Sequence, residues 1–170
     1  MALPVNCEVC GFRWDEITPE EIAPRLVDVV DSLRSVMFDA GEGGRVRPSP
    51  LRWSILEYAG HLRDVFISIR ERMVMACVVD EPTGTAMFRE ERVNLGFYTR
   101  DSAPELGDEL SATSQMLIKV FDALTPEQHA RKLVFSPVTP VAVSILWAAA
   151  QAVHEGEHHL ADVRENLTLI

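Results

Sequence analysis

Apolar residues recur at three- and four-residue steps along much of this chain, the spacing that gathers them onto one face of an α-helix. Over about Leu51 to Val79, Ile55, Tyr58, Leu62, Val65, Phe66, Ile69 and Met73 form one such stripe. Leu106, Leu110, Met116, Leu117, Val120 and Phe121 form another over about Pro104 to Leu124. A further helix is predicted over about Pro140 to Leu167, almost wholly apolar from Val141 to Val153 and charged after His154. Stripes of this kind must be covered by one another, and the natural arrangement is an antiparallel helical bundle.

Helix starts are marked by a capping residue followed by proline. Thr18-Pro19-Glu20-Glu21 supplies a hydroxyl at the cap, proline at the first helical position and a glutamate three residues after the cap. It predicts a first helix over about Pro19 to Phe38. Ser49-Pro50, Ser102-Ala103-Pro104-Glu105, Thr125-Pro126-Glu127-Gln128 and Thr139-Pro140 repeat the signal in full or in part, giving four long helices and a short one. Gly41 to Ser49 and the longer Asp80 to Asp101 read as connections. Strand signals are weak. There is no internal repeat or domain-sized linker, so residues 1–170 read as one domain, with residues 1–17 as an N-terminal strap.

Composition narrows the function classes. A chain of 170 residues that is 47% hydrophobic and 25% charged can bury a core without staples. Sixteen basic against 26 acidic residues leave a net charge of -10, which disfavours nucleic acid and anionic membranes as partners. Arg45, Arg47 and Arg52 read as a solvated loop. No leader-like or membrane-spanning stretch is legible, and three cysteines without framework spacing fit a reducing compartment, so a cytoplasmic location is expected.

The five histidines carry the candidate chemistry. His154 and His158 in VHEGEHHLADV stand four apart on a predicted helix, so their side chains leave adjacent turns of one face and can chelate one ion. His61, at the edge of the second helix's stripe, is the natural third ligand. Three imidazoles would leave one coordination position open for water or substrate. The plainer reading is a packing histidine at His61 and a solvated pair at His154 and His158.

Helical projection sets a rival beside this assignment. Val141, Ile145, Ala148 and Ala152 share a face with His159, whereas His154 and His158 share theirs with Trp147, Ala150 and Ala161. His159 is therefore the competing inward histidine. Because Val141 to Val153 is apolar all round, two buried faces are expected, the second against another subunit of a homodimer.

The segments WSILEYAGHLRDV and HEGEHHLADV resemble the DinB-like superfamily, which includes mycothiol-dependent maleylpyruvate isomerases and related thiol S-transferases. The resemblance covers most of the chain. It implies an all-α, up-down-down-up four-helix bundle with a long connection between helices 2 and 3, often dimeric. It also implies one divalent metal ion, zinc or nickel, held by His61, His154 and His158, with mycothiol or a related thiol as a co-substrate.

Cys7-Glu8-Val9-Cys10 lies outside that pattern and admits three readings: half of a structural zinc site completed by Cys77 or a histidine, a redox pair, or two unremarkable thiols. Glu57, Asp64, Glu155, Glu157 and Asp162 surround the expected ligands, with Asp64 and Asp162 the leading candidates to orient imidazoles. Trp53, Tyr58 and Trp147 are assigned to packing, and His129 to an exposed segment. Two functions fit: a metal-dependent enzyme activating a small thiol or water against an electrophilic substrate, or a non-enzymatic metal-binding or stress-response dimer.

Overall fold

In the computed structural model, residues 5–136 and 140–170 are described. Four helices form the bundle: α1 (Pro19–Ala40), α2 (Ile55–Val78), α4 (Ala103–Asp122) and α6 (Ile145–Leu167). Both α1 and α2 pack against α4 and α6, and they meet each other only slightly. Helices consecutive among these four, α1 with α2 and α4 with α6, are thus diagonal partners, and a long connection joins the neighbours α2 and α4. That connection holds the short helix α3 (Arg89–Asn94) and a 3-10 turn at Tyr98–Arg100. It is tied to α2 at Asp64, which accepts hydrogen bonds from the Tyr98 hydroxyl at 2.8 Å and the Arg92 guanidinium at 2.6 Å.

Three of the predicted caps stand where the sequence puts them. Glu21 accepts from the Thr18 N–H at 2.8 Å, Ser102 and Glu105 cap α4 reciprocally, and Thr125 with Gln128 opens the short α5 (Pro126–His129). The start of α2 differs. Ser49-Pro50 makes a turn closed by the Arg52 N–H on the Ser49 carbonyl at 3.1 Å, and the helix begins after Ser54, whose hydroxyl pairs with the Glu57 N–H. The start of α6 differs as well. Ala142–Ser144 forms strand β2, paired antiparallel with β1 (Lys132–Val134) in the register Leu133↔Val143, and Ser144 caps α6. Thr139 of the expected cap lies outside the described residues. The apolar run that reads as uninterrupted helix therefore begins with a buried strand.

The strap folds across α6. Phe12, Trp14 and Ile17 are buried, and Trp14 stacks on Trp147 with centroids 5.9 Å apart. Ala148, Ala149, Ala150, Ala152 and Val153 are all fully buried within this one chain. Within this chain the bundle and the strap cover these apolar positions of α6. The basic loop is also engaged: Arg47 forms a two-pronged pair with buried Glu57, Arg45 donates to the Thr99 carbonyl, and Arg52 reaches Asn166 and Glu165. His129 is half-buried, stacked on Phe121 at 4.3 Å.

Candidate metal centre

α2 and α6 pack side by side in the bundle, and this brings His61 to Glu155 and His159. Glu155 and His159 are four apart and leave adjacent turns of α6 on the same face. The Glu155 Oε2 lies 3.6 Å from Nε2 of His61 and 3.4 Å from Nε2 of His159. Charge-assisted hydrogen bonds are shorter, about 2.7–2.9 Å. Two ligand atoms bound at about 2.0–2.1 Å in a tetrahedral shell stand roughly 3.3 Å apart, which is close to what is seen.

The other atoms of these side chains are already committed in a way that aims the donors inward. The Nδ1 of His159 is 2.9 Å from Oδ2 of Asp162, and the Glu155 Oε1 accepts from the Gln151 amide at 2.7 Å. Gln151 in turn accepts the Trp14 indole N–H at 2.8 Å, so the strap reaches the carboxylate through one intermediary. Trp53 and Tyr58 wall the imidazoles, with centroids 5.4 Å from His61 and 5.1 Å from His159 respectively.

Whether these residues suit a cation can be judged from His61. It is 3% exposed, and among the described residues neither ring nitrogen has a hydrogen-bond partner. A buried polar group left unpaired costs about 1–3 kcal/mol. A cation accepting the ring's lone pair removes that cost, and the mixed nitrogen and oxygen donors suit zinc and neighbouring divalent metals. Burial would lower the His159 pKa, but Asp162 and Glu155 outweigh it and push it up to about 9. Burial would raise Glu155, but the two imidazoles hold it well below the usual carboxylate range.

Beside the cluster opens a cleft of about 620 Å³, reached by His61 and Glu155 and walled by Val65, Ile69, Phe88 and Phe135. Arg72 also lines it. This side chain is 6% exposed, lies 4.3 Å over the Phe135 ring and donates to the Thr85 carbonyl at 2.6 Å, while its Nε is unpartnered among the described residues.

The expected ligand set His61, His154 and His158 is divided by this geometry. His61 stands with Glu155 and His159, whereas His154 and His158 lie with Cys7 and Cys10 beneath the strap, and His158 also comes within 4.8 Å of His159 and Asp162. The cause is helical: neighbouring residues diverge by about 100°, so the 154/158 pair and the 155/159 pair look out of different faces of α6. Of the surrounding carboxylates, Asp162 orients an imidazole, while Asp64, Glu57 and Glu157 are taken up by Arg92, Arg47 and Arg25. Glu155, read from sequence only as a neighbouring charge, is the member that the histidine spacing concealed. Its signal was the four-residue step to the inward His159.

Comparison with known proteins agrees with the architecture. The DinB superfamily profile matches residues 18–163, and the chain belongs to that superfamily. The structure is similar to YfiT from Bacillus subtilis, described as "a probable metal-dependent hydrolase with an unusual four-helix bundle topology", with a TM-score of 0.81, 15% identity and 89% of each chain covered. It is also similar to the mycothiol-dependent maleylpyruvate isomerase, with a TM-score of 0.69 and 10% identity, over 88% of this chain and 62% of the isomerase. At these identities the likeness concerns the fold. No curated protein matches the sequence significantly. Among the described residues, no helix is long and apolar enough to cross a membrane.

Proposed function

We propose that the protein is a metal-dependent enzyme in which His61, Glu155 and His159 hold one divalent ion, zinc or nickel, at the wall of the cleft. The observation that carries this is His61: buried, without a hydrogen-bond partner at either ring nitrogen among the described residues, and aimed with His159 at a single carboxylate oxygen. When bound, such an ion supplies Lewis acidity that lowers the pKa of a thiol or water in its remaining position. Asp162 keeps the His159 ring turned so that Nε2 faces inward, and Gln151 fixes the carboxylate. Trp53 and Tyr58 pack against the imidazoles and limit their movement.

The cleft walls then select the reactants. Val65, Ile69, Phe88 and Phe135 accept an apolar body, and Arg72 offers a cationic wall to a carboxylate or similar anion. The apolar walls and Arg72 fit an electrophile with an apolar body and an anionic group, and membership of the DinB superfamily supports a small thiol of the mycothiol type as its co-substrate. The test is turnover of such a thiol with an electrophilic acceptor by metal-loaded protein, comparing the parent with His61→Ala. Thiol consumption that falls to background in the variant is the expected result. Hydrolysis without thiol consumption would shift the nucleophile to water, and equal rates in both proteins would overturn the enzymatic reading and leave a metal-binding scaffold.

A further inference from the structure

We propose that Cys7, Cys10, His154 and His158 form a second divalent-metal site, closed and structural in kind, that fastens the N-terminal strap to α6. Their donor atoms all lie within 4.8 Å of one another, and the Cys7 Sγ stands 3.8 Å from Nδ1 of His158. Thiolate bonds of about 2.3 Å and imidazole bonds of about 2.0–2.1 Å in a tetrahedral shell separate sulfur from nitrogen by roughly 3.6 Å. The Cys7–His158 pair already stands close to that separation, and the other donors contract onto an ion from within 4.8 Å.

A tight turn brings the two cysteines together. The chain reverses after the second cysteine at Gly11, whose φ of +76° is open to glycine at no steric cost. The turn is closed by Gly11 N–H on the Cys7 carbonyl and Cys7 N–H on the Phe12 carbonyl, each at 2.8 Å. Such a loop presents two sulfurs within reach of one ion.

His154 points independently to a ligand. It is 9% exposed, and neither of its ring nitrogens has a hydrogen-bond partner among the described residues. The rings of Trp14 and Phe12 fix it in place at 4.6 and 5.2 Å. A coordinate bond to an ion satisfies one of these orphaned nitrogens. Four protein donors leave no open position, so this site does not bind substrate. Loading it releases the two thiol protons to solvent, and the bound unit carries no net charge. Because Trp14 lies in the fastened segment and reaches Glu155 through Gln151, the closed site also supports the geometry of the centre at His61.

The two sites share no ligand, so they can be separated. Untagged full-length protein is loaded with cobalt(II) and compared as the parent, as His61→Ala and as the Cys7→Ser, Cys10→Ser double variant. The His61→Ala protein is expected to keep a thiolate-to-metal charge-transfer band in the near ultraviolet and one equivalent of metal, and the double variant to lose the band. In the parent, alkylation of Cys7 and Cys10, located by peptide mass, is expected to slow markedly with zinc and to recover with chelator, a readout that holds even if the double variant fails to fold. Absence of the band in His61→Ala together with unchanged alkylation rates would overturn the proposal, as would recovery of Cys7 and Cys10 as a disulfide in protein prepared with zinc under reducing conditions. Loss of metal from the His61 centre alone would leave it standing.

Discussion

Gln151 donates its side-chain amide to Oε1 of Glu155 at 2.7 Å, which leaves Oε2 as the oxygen shared between the imidazoles of His61 and His159. A carboxylate so restrained loses little freedom on accepting an ion. Gln151→Ala is therefore expected to weaken metal binding about 10–100-fold without unfolding the bundle. Competition against a chromophoric chelator measures it, and an unchanged affinity would remove Gln151 from the site.

Asp162 plays the corresponding part for His159. Asp162→Asn keeps the shape but replaces an anion facing Nδ1 by a neutral amide, and an affinity loss of about tenfold is expected. The same chelator competition checks it, with thermal melting confirming that the metal-free fold is retained.

Glycine at position 156 sets the approach of α6 to α1. A Cβ there would stand 2.8 Å from Cγ1 of Val29. Gly156→Ala gains about 1 kcal/mol of helix propensity, but separating the packed helices costs about 1–3 kcal/mol. Net destabilisation of up to about 2 kcal/mol is expected in denaturant unfolding. Because residues 155 and 159 flank this point, weaker metal binding should accompany it.

The pairing of Arg47 with Glu57 predicts an acid dependence. Burial would raise the Glu57 pKa, but Arg47 and the Ser54 cap outweigh it and hold the carboxyl below its ordinary value. A depressed folded-state pKa contributes stability that is present above the unfolded-state value of about 4.3 and is lost as pH falls through the folded-state value. Arg47→Ala is expected to cost about 2–3 kcal/mol at neutral pH, because it leaves a buried carboxylate unpaired. The variant's stability should also decline less on acidification. Urea unfolding at neutral pH and at about pH 3 separates the two proteins.

The bundle was legible because its signals are local. Capping residues, prolines at first helical positions and apolar stripes fix α1, α4 and α5 from a few neighbouring residues each. Where a second local solution competes, the reading slips: Ser49-Pro50 imitates the cap that Ser54 and Glu57 actually form, and Val141 to Ser144 is as compatible with a buried strand as with a helix. His61 was legible as a polar residue on an apolar stripe. Its partners were not, because HEGEHH contains two interleaved four-residue pairs and sequence spacing alone cannot decide which one faces α2. That choice depends on where the strap lies, and Phe12 and Trp14 bury His154 on the far side.

Diffraction from metal-loaded crystals at the absorption edge of the bound ion tests the assignment most directly. An anomalous peak within bonding distance of His61 Nε2, Glu155 and His159 Nε2 is the predicted result. Density that instead joins His61 to His154 and His158, or a loaded crystal with no peak between α2 and Glu155, would contradict it.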